Sequence, residues 1–376
     1  MRSVALLTLA LALSAPARAE LAVVALSDEQ WLDDGAQVVP AHPQPDRVAT
    51  VAFGPGELRR IATIEAPTSV IGPPGSVAVT PDGRHALVTD ARSIDPADQT
   101  RIVPSDAVTL IALVPTPHVV ATLHVGAGAS GVAIDPSGRM ALVASRAAHS
   151  VALLALDGDT MRRIDTLPTG PGSSPAQPAF FDAGRQALVS RDGDHRVSIL
   201  AVADGHLRMM PGAILAGLRP YALSAAGGHY AVTATMAGGG RDVDSLTLID
   251  LAESTPRAID SVGVGLTPEG VAMSPNGRFV AVTVNNGSND PKAAPGYHPY
   301  GLLQIWAIVD GHLVKRAEAR MGGWGQGVAW SHDGRELVAE AMVEQRLESW
   351  RFDGRALVAD RVLPLGEGPA GLGVAP

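Results

Sequence analysis

The sequence contains no cysteine. That one absence excludes disulfides, cysteine-ligated zinc, iron–sulfur clusters, thiol nucleophiles and C-x-x-C-H haem attachment together. Several catalytic signatures are missing as well. There is no G-x-S-x-G elbow, no phosphate-binding P-loop and no H-E-x-x-H zinc motif. After the first twenty residues no apolar run is long enough to span a membrane. Almost no segment sustains helical periodicity over three turns. Excess positive charge is lacking too. The formal net charge is −9, whereas a nucleic-acid partner calls for a basic stripe. With 376 residues and no disulfides, the chain must be held by a hydrophobic core, and its length is ample for one.

What is present starts with "MRSVALLTLALALSAPARAE". Arg2 supplies a positive n-region, Val4 to Ser14 an apolar h-region, and Ala17-Arg18-Ala19 an A-x-A cleavage site before Glu20. Residues 1–19 read as a secretory signal peptide, the alternatives being a buried helix or an uncleaved anchor. The mature chain, 20–376, is then expected in the periplasm or medium, free of the membrane. Cleavage removes two arginines and no acid, moving the formal charge from −9 to −11.

The stretch "VAVTPDGRHALVTD", Val77 to Asp90, recurs in form. Related copies are "GVAIDPSGRMALVAS" from Gly131, "PAFFDAGRQALVS" from Pro178, "YALSAAGGHYAVTAT" from Tyr221, "GVAMSPNGRFVAVTV" from Gly270 and "GVAWSHDGRELVAEA" from Gly327. A truncated seventh, "GLGVAP", starts at Gly371. The copies lie about 43 to 57 residues apart, a propeller-blade period. Asp-Gly, Ser-Gly and Asn-Gly supply the positive φ of a tight hairpin turn. The arginine after the turn glycine (Arg84, Arg139, Arg185, Arg278, Arg335) is expected to decorate that turn or pair with an acid of the next blade. A second hairpin follows, as in "SVALLALDGDTMRRID" from Ser150 and "LLQIWAIVDGHLVKR" from Leu302. Each repeat therefore holds four antiparallel strands, A to D.

The last copy has a strand A, Gly371 to Ala375, with no B, C or D after it. The mature N-terminus has the opposite deficit: "LAVVALSD" from Leu21 reads as strand B, and "RVATVAFGPGELRRIATI" from Arg47 as the C–D hairpin. The two ends are expected to complete one blade, leaving no unpaired edge. The predicted fold is all-β: a seven-bladed β-propeller of four-stranded antiparallel blades, one domain over 20–376, closed by N-terminal strands B, C and D pairing with a C-terminal strand A. An open β-solenoid is the alternative.

At "GVAMSPNGRFVAVTVNN", "SVAVTPDGRHALVTD" and "SLTLID" (Ser245 to Asp250) the sequence resembles the YVTN-type seven-bladed propellers. The resemblance covers nearly the whole mature chain. It implies the propeller fold and relatives that include lactonase-like propellers, surface-layer-type proteins and the methylamine dehydrogenase heavy chain. The WD-dipeptide and kelch double-glycine signatures are not evident.

Strand direction puts the short A–B and C–D turns on one face and the D–A and B–C connections on the other. Long B–C loops are expected near Asp28 to Asp46, Ala91 to Ser105 and Asn285 to Tyr300. Such loops are functional candidates. Residues ahead of each strand A and at the end of each strand B should ring a central funnel on that face. The ring includes Ser76, Ala370 and, as ligand-binding candidates, Asp90, Ser130, Arg146, Gln177, Arg191, Tyr221, Glu269, Asn285, Trp324 and Gln326. Such a ring can bind a small polar ligand or a partner's loop, or hold only water.

Three narrower signals remain. "SDEQWLDDG" gathers Asp28, Glu29, Asp33 and Asp34, a carboxylate loop of the kind calcium uses, though no EF-hand pattern accompanies it and a solvated acidic loop is the simpler reading. "SRDGDHRVS" holds Arg191, Asp192, Asp194 and His195, fit for acid–base work or plain turn chemistry. "PGYHPYG" places His298 between Tyr297 and Tyr300, a contact surface or a stiff loop. No cofactor is expected.

The leading expectation is an exported propeller binding an unidentified partner protein or small polar ligand on its long-loop face. The first alternative is a lactonase-like hydrolase, with Glu269, His195, Asp192 and Arg191 as catalytic candidates. The second is the propeller subunit of a periplasmic dehydrogenase.

Overall fold

The computed structural model describes residues 19–27, 30–70, 72–236, 242–252 and 255–376. The expected signal segment up to residue 18, together with Asp28 and Glu29, lies outside the described residues. Seven four-stranded antiparallel sheets form the blades of a propeller. In the first six, chain order gives spatial order. Strands A to D of the second blade are Ala129–Ile134, Met140–Ser145, Ser150–Asp157 and Thr160–Pro168. The first blade opens on a short strand A, Val77–Val79. Strand A begins at Pro175 in the third blade, Pro220 in the fourth, Pro268 in the fifth and Gly325 in the sixth.

The seventh blade joins the chain ends. Its strands are Gly368–Val374, Glu20–Ser27, Arg47–Gly54 and Glu57–Glu65, in that spatial order. Val24 pairs with Leu372 on one side and with Ala49 on the other. Deleting residues 368–376 would leave strand Glu20–Ser27 as an unpaired edge at the axis. That variant is expected to sediment as aggregate on expression, whereas the full chain stays in the supernatant.

The repeated turns work as the sequence suggests. Asp82 Oδ1 accepts from Thr80 Oγ1 at 2.6 Å and from Arg84 N at 3.0 Å, while Gly83 takes φ 67°. Asn276 does the same for Ser274 and Arg278, and Asp333 for Ser331 and Arg335. Valine, leucine and alanine of the strands B and C pack between blades, not within them. Among the described residues each of the seven seams has its own buried apolar cluster. Leu142, Leu153, Ala187 and Leu200 fill the one between blades two and three. Phe53, Val338, Leu347 and Leu372 fill the one between blade six and the closing blade.

Two of the three long B–C loops are hairpins in their own right: Trp31–Asp33 with Ala36–Val38, and Arg92–Asp95 with Asp98–Pro104. The third, residues 285–300, has no strand.

Candidate functional site

The floor of the funnel is built by a bulge repeated in strand A. The ladder sets two residues of strand A against one of strand B. The pairs are Ser130–Gly131, Ala176–Gln177, Tyr221–Ala222, Glu269–Gly270 and Gln326–Gly327. Bulges re-aim side chains beside functional sites. The first residue of each pair varies from blade to blade. The second is glycine or alanine in four of the five, because the strands crowd at the axis: a Cβ on Gly270 would overlap the Gln326 carbonyl, and one on Gly131 would overlap that of Ala176.

In blades three, five and six the strand-B residue opposite the bulge ties neighbouring blades, whereas blades two and four have Ala144 and Ala234 there. Thr283 Oγ1 accepts from Gly270 N at 2.8 Å and donates to Gln326 O at 2.7 Å. Ser190 accepts from Gln177 N and donates to Tyr221 O. In the sixth blade a carboxyl stands in for the hydroxyl. Glu340, fully buried, accepts from Gly327 N at 2.6 Å and from Gly371 N at 3.2 Å. Burial pushes it up to about 8, against the pull of those two N–H groups.

Above this floor lies a charged cluster drawn from blades two to six. Asp192 accepts from Arg146 on one oxygen and from Arg219 Nε at 2.7 Å on the other. Burial works to raise the Asp192 carboxyl, but the Arg219 hydrogen bond and the two guanidinium charges outweigh it and hold it below its ordinary value. The Arg146 guanidinium lies 5.3 Å from the centre of the Tyr221 ring. Burial pushes the Tyr221 phenol well up. Glu269 accepts from Asn285 Nδ2 and Trp324 Nε1, each at 3.4 Å. Its burial drives it up to about 7, although those two bonds and the charges of Arg146 and Arg219 oppose the rise. Around these groups Ser130 Oγ, Arg146 Nη1, Asn285 Oδ1 and Gln326 Oε1 are buried without a hydrogen-bond partner. Leaving such an atom unpaired costs roughly 1–3 kcal/mol.

In blades three to six the residue two before the bulge, Ser174, Arg219, Thr267 or Trp324, has φ between 42° and 54°. A β-branched threonine and a bulky tryptophan there are genuine outliers, and such strain collects at ligand sites.

The long loops roof one side of the cluster. Leu32 of the closing-blade hairpin packs on Val70, Trp324, Met342 and Ala370. Asp34 Oδ1 accepts from Lys292 N at 2.8 Å, joining that hairpin to loop 285–300. Gln30 reaches the Arg92 carbonyl of the first-blade hairpin at 3.3 Å. The Asp34 carboxylate thus clasps a loop. Asp33 ends a strand of that hairpin, and no group of three metal-ligating side chains occurs among the described residues. The other side is open over blades two and three, whose B–C connections are four-residue turns, and there Arg146 and Arg219 are half-buried.

The fold brings together Arg146, Asp192, Tyr221, Glu269, Asn285 and Trp324, with Ser130 and Gln326 on adjoining bulges. It places four other candidates elsewhere. Arg191 turns away from Asp192 to clamp Asp194, with Ser198 Oγ at 3.1 Å. His195 is exposed at φ 60° in a turn, where its Nδ1 accepts from Arg219 N at 3.2 Å. Asp90 caps Arg92 N at 3.2 Å and lines a separate cleft of about 470 Å³ with Thr68 and Ser105. Gln177 is the second residue of its bulge, where other blades have glycine or alanine. Its side chain fills the axis against Gly75 and Gly131 beside a channel of about 120 Å³. Ser76 and Ala370 also lie at the axis, buried. Loop 285–300 ends on Tyr300, which carries the Arg320 guanidinium 4.2 Å above its ring. Sequence reasoning missed Arg219 and Glu340. Counting two back from Tyr221, as Trp324 stands two before Gln326, would have found Arg219.

No family model matches the chain, and no curated protein matches it by sequence. Solved structures do match. A candidate 6-phosphogluconolactonase from Bacteroides uniformis shares 13% identity over 95% of this chain and 100% of that one, with TM-score 0.71. The Pseudomonas aeruginosa periplasmic gluconolactonase shares 15% over 94% and 98%, TM-score 0.66. A functionally unknown protein from Desulfotomaculum acetoxidans shares 16% over 94% and 98%, TM-score 0.68. The chain has the seven-bladed propeller fold of these proteins. At such identities the likeness extends to fold alone.

Proposed function

We propose that this is an exported YVTN-type propeller whose half-roofed funnel binds a small, oxygen-rich polar ligand. The observation that carries this reading is the set of unpartnered buried atoms: one guanidinium N–H on Arg146, one hydroxyl on Ser130, and two amide oxygens on Asn285 and Gln326. Donors and acceptors converge there, and a ligand with several hydroxyl or carbonyl groups satisfies both kinds. A partner protein fits less well, because these atoms are buried within the funnel.

Replacing Arg146 with alanine removes the exposed edge of the ion cluster. Affinity is expected to fall about tenfold or more, the worth of one charge-assisted hydrogen bond. Calorimetry against a panel of polyols, aldonic acids and sugar lactones tests this, and a panel without one saturable ligand would overturn the proposal.

A second reading, lactone hydrolysis, is favoured by Glu269. A carboxyl poised near neutrality beside two guanidinium groups can take a proton from water as the new hydroxide bonds to the lactone carbonyl carbon. Arg146 would face the oxyanion, and the ring C–O bond would break with return of the proton to the leaving oxygen. Turnover should then rise through about pH 7 as Glu269 ionises. Glu269→Gln should drop it by at least about 10²-fold. A rate unaffected by that change would remove Glu269 from the chemistry.

A further inference from the structure

Comparison of the strand-D bulges, position by position, shows an aliphatic residue in four blades, an acid, Asp360, in the sixth and a cation in the fifth. Strand D carries a one-residue bulge whose extra residue is Ile61 in the closing blade, Val120 in the first, Ile164 in the second and Ile259 in the fourth. Ile164 and Ile259 each lie against the C–D turn glycine of the following blade, Gly205 and Gly311. The next residue is an acid in both cases. Asp165 accepts from Leu207 N at 2.7 Å and faces His206 at 3.6 Å. Asp260 accepts from Leu313 N at 2.7 Å and faces His312 at 3.7 Å. An aliphatic plug and an acid–base pair close these two seams.

Between blades five and six all three residues differ. The bulge residue is Arg316, followed by Ala317, and the residue after the turn glycine is Arg355. Nothing lies within 4 Å of where a Cβ on that glycine, Gly354, would stand. The plug and the acid are gone, and two cations have taken their place. A third, Arg278, comes from the A–B turn of blade five, its guanidinium 5.8 Å from the Phe279 ring. The three arginines border a pocket of about 330 Å³ whose apolar wall includes Phe279, Ile308 and Val309. Among the described residues Arg278 and Arg316 have no acidic partner. Arg355 has only the exposed Asp353, whose carboxyl is drawn down by backbone N–H bonds from Ala356 and, at 2.9 Å, from Arg355, and partly by the Arg355 charge. In a chain of net charge −9, three cations around one pocket, with a single acid beside one of them, repel each other, and a bound dianion relieves that repulsion.

We propose that this seam is a binding site for a phosphate group, either free phosphate or the monoester of an apolar alcohol lying on the Phe279 wall. It is remote from the funnel, on the short-turn side of the blades, and independent of what the funnel binds.

The test is calorimetry on the full chain at low salt, with inorganic phosphate and phenyl phosphate as probes. Saturable one-to-one binding is expected, weakened at least tenfold by the double change Arg316→Ile with Ala317→Asp. That variant installs the plug and acid of the fourth blade, so it should fold, which its thermal midpoint reports. Arg355→Ala should weaken binding as well, and Arg84→Ala, at the A–B turn of the first blade where blade five has Arg278, should not. Tighter binding of phenyl phosphate identifies the ester as the ligand, and equal binding the free anion; both support the site. No saturation by about 10 mM of either probe, or equal loss in Arg84→Ala and in the plugged variant, would overturn it.

Discussion

Asp192→Ala is expected to destabilise the protein by about 2–3 kcal/mol, more than the loss of any other single side chain in the funnel. Asp192 is 5% exposed and its two oxygens serve two different arginines. Removing it strips both guanidinium groups of their counter-charge at once. Arg146 would keep only its contact with the Tyr221 ring. Leaving a charge buried and unpaired is what makes such changes costly, and a fully enclosed pair loses about 3–5 kcal/mol. The arginine side chains here are 22% and 34% exposed, so water recovers part of that loss. Arg146→Ala should cost less, because Asp192 retains Arg219. Urea unfolding of the two single variants and the double separates these terms. A loss below about 0.5 kcal/mol for Asp192→Ala would mean that the arginines reach solvent on their own, as ordinary surface pairs do.

The same cluster shows which parts of the site were readable in advance. Turn chemistry is local, so Asp82-Gly83-Arg84 and its copies marked the blades, and the unequal ends marked the closing sheet. Funnel residues depend on bulge register, which is set by how strand A meets the next blade. Gln177 therefore sits one position past the residue that faces the cluster in other blades. Arg191 and Asp192 are neighbours in sequence but face different ways, since Arg191 ends strand B and Asp192 opens the turn that follows it. The roof was hidden for another reason. The bond from Lys292 N to Asp34 links residues 258 apart, and no local pattern announces it. The metal reading of Asp34 weighed only nearby acids, and its partner turned out to be a backbone amide across the funnel. Nothing in "ELVAEA" marks Glu340. Its burial follows only from its lying opposite a bulge, at the position Thr283 and Ser190 occupy in their blades.

Glu340 also sets the expected response of the whole protein to pH. Its carboxyl has an ordinary value of 4.5 and rises to about 8 in the folded state. Below 4.5 it is protonated in both states and burial costs nothing in charge. Between 4.5 and 8 the unfolded chain gives up the proton while the folded chain retains it, so stability falls as pH rises. The slope for one such group is at most about 1.4 kcal/mol per pH unit. Glu269 adds the same sign between 4.5 and about 7. Asp192 opposes them only in acid, where its paired carboxylate would have to be protonated. Urea midpoints should therefore be highest in mildly acidic buffer and decline towards pH 8. Glu340→Gln cannot ionise and keeps the shape of the neutral acid. Its amide oxygen can accept from Gly327 N, but its N–H₂ then meets the Gly371 N–H donor to donor, a cost that is the same at every pH. It should flatten the decline, so that the variant's deficit against the parent chain shrinks as pH rises from 4.5 towards 8. An undiminished slope in Glu340→Gln would show that the carboxylate is held as an anion by Gly327 and Gly371. The two N–H groups would then outweigh burial at the seam where the propeller closes.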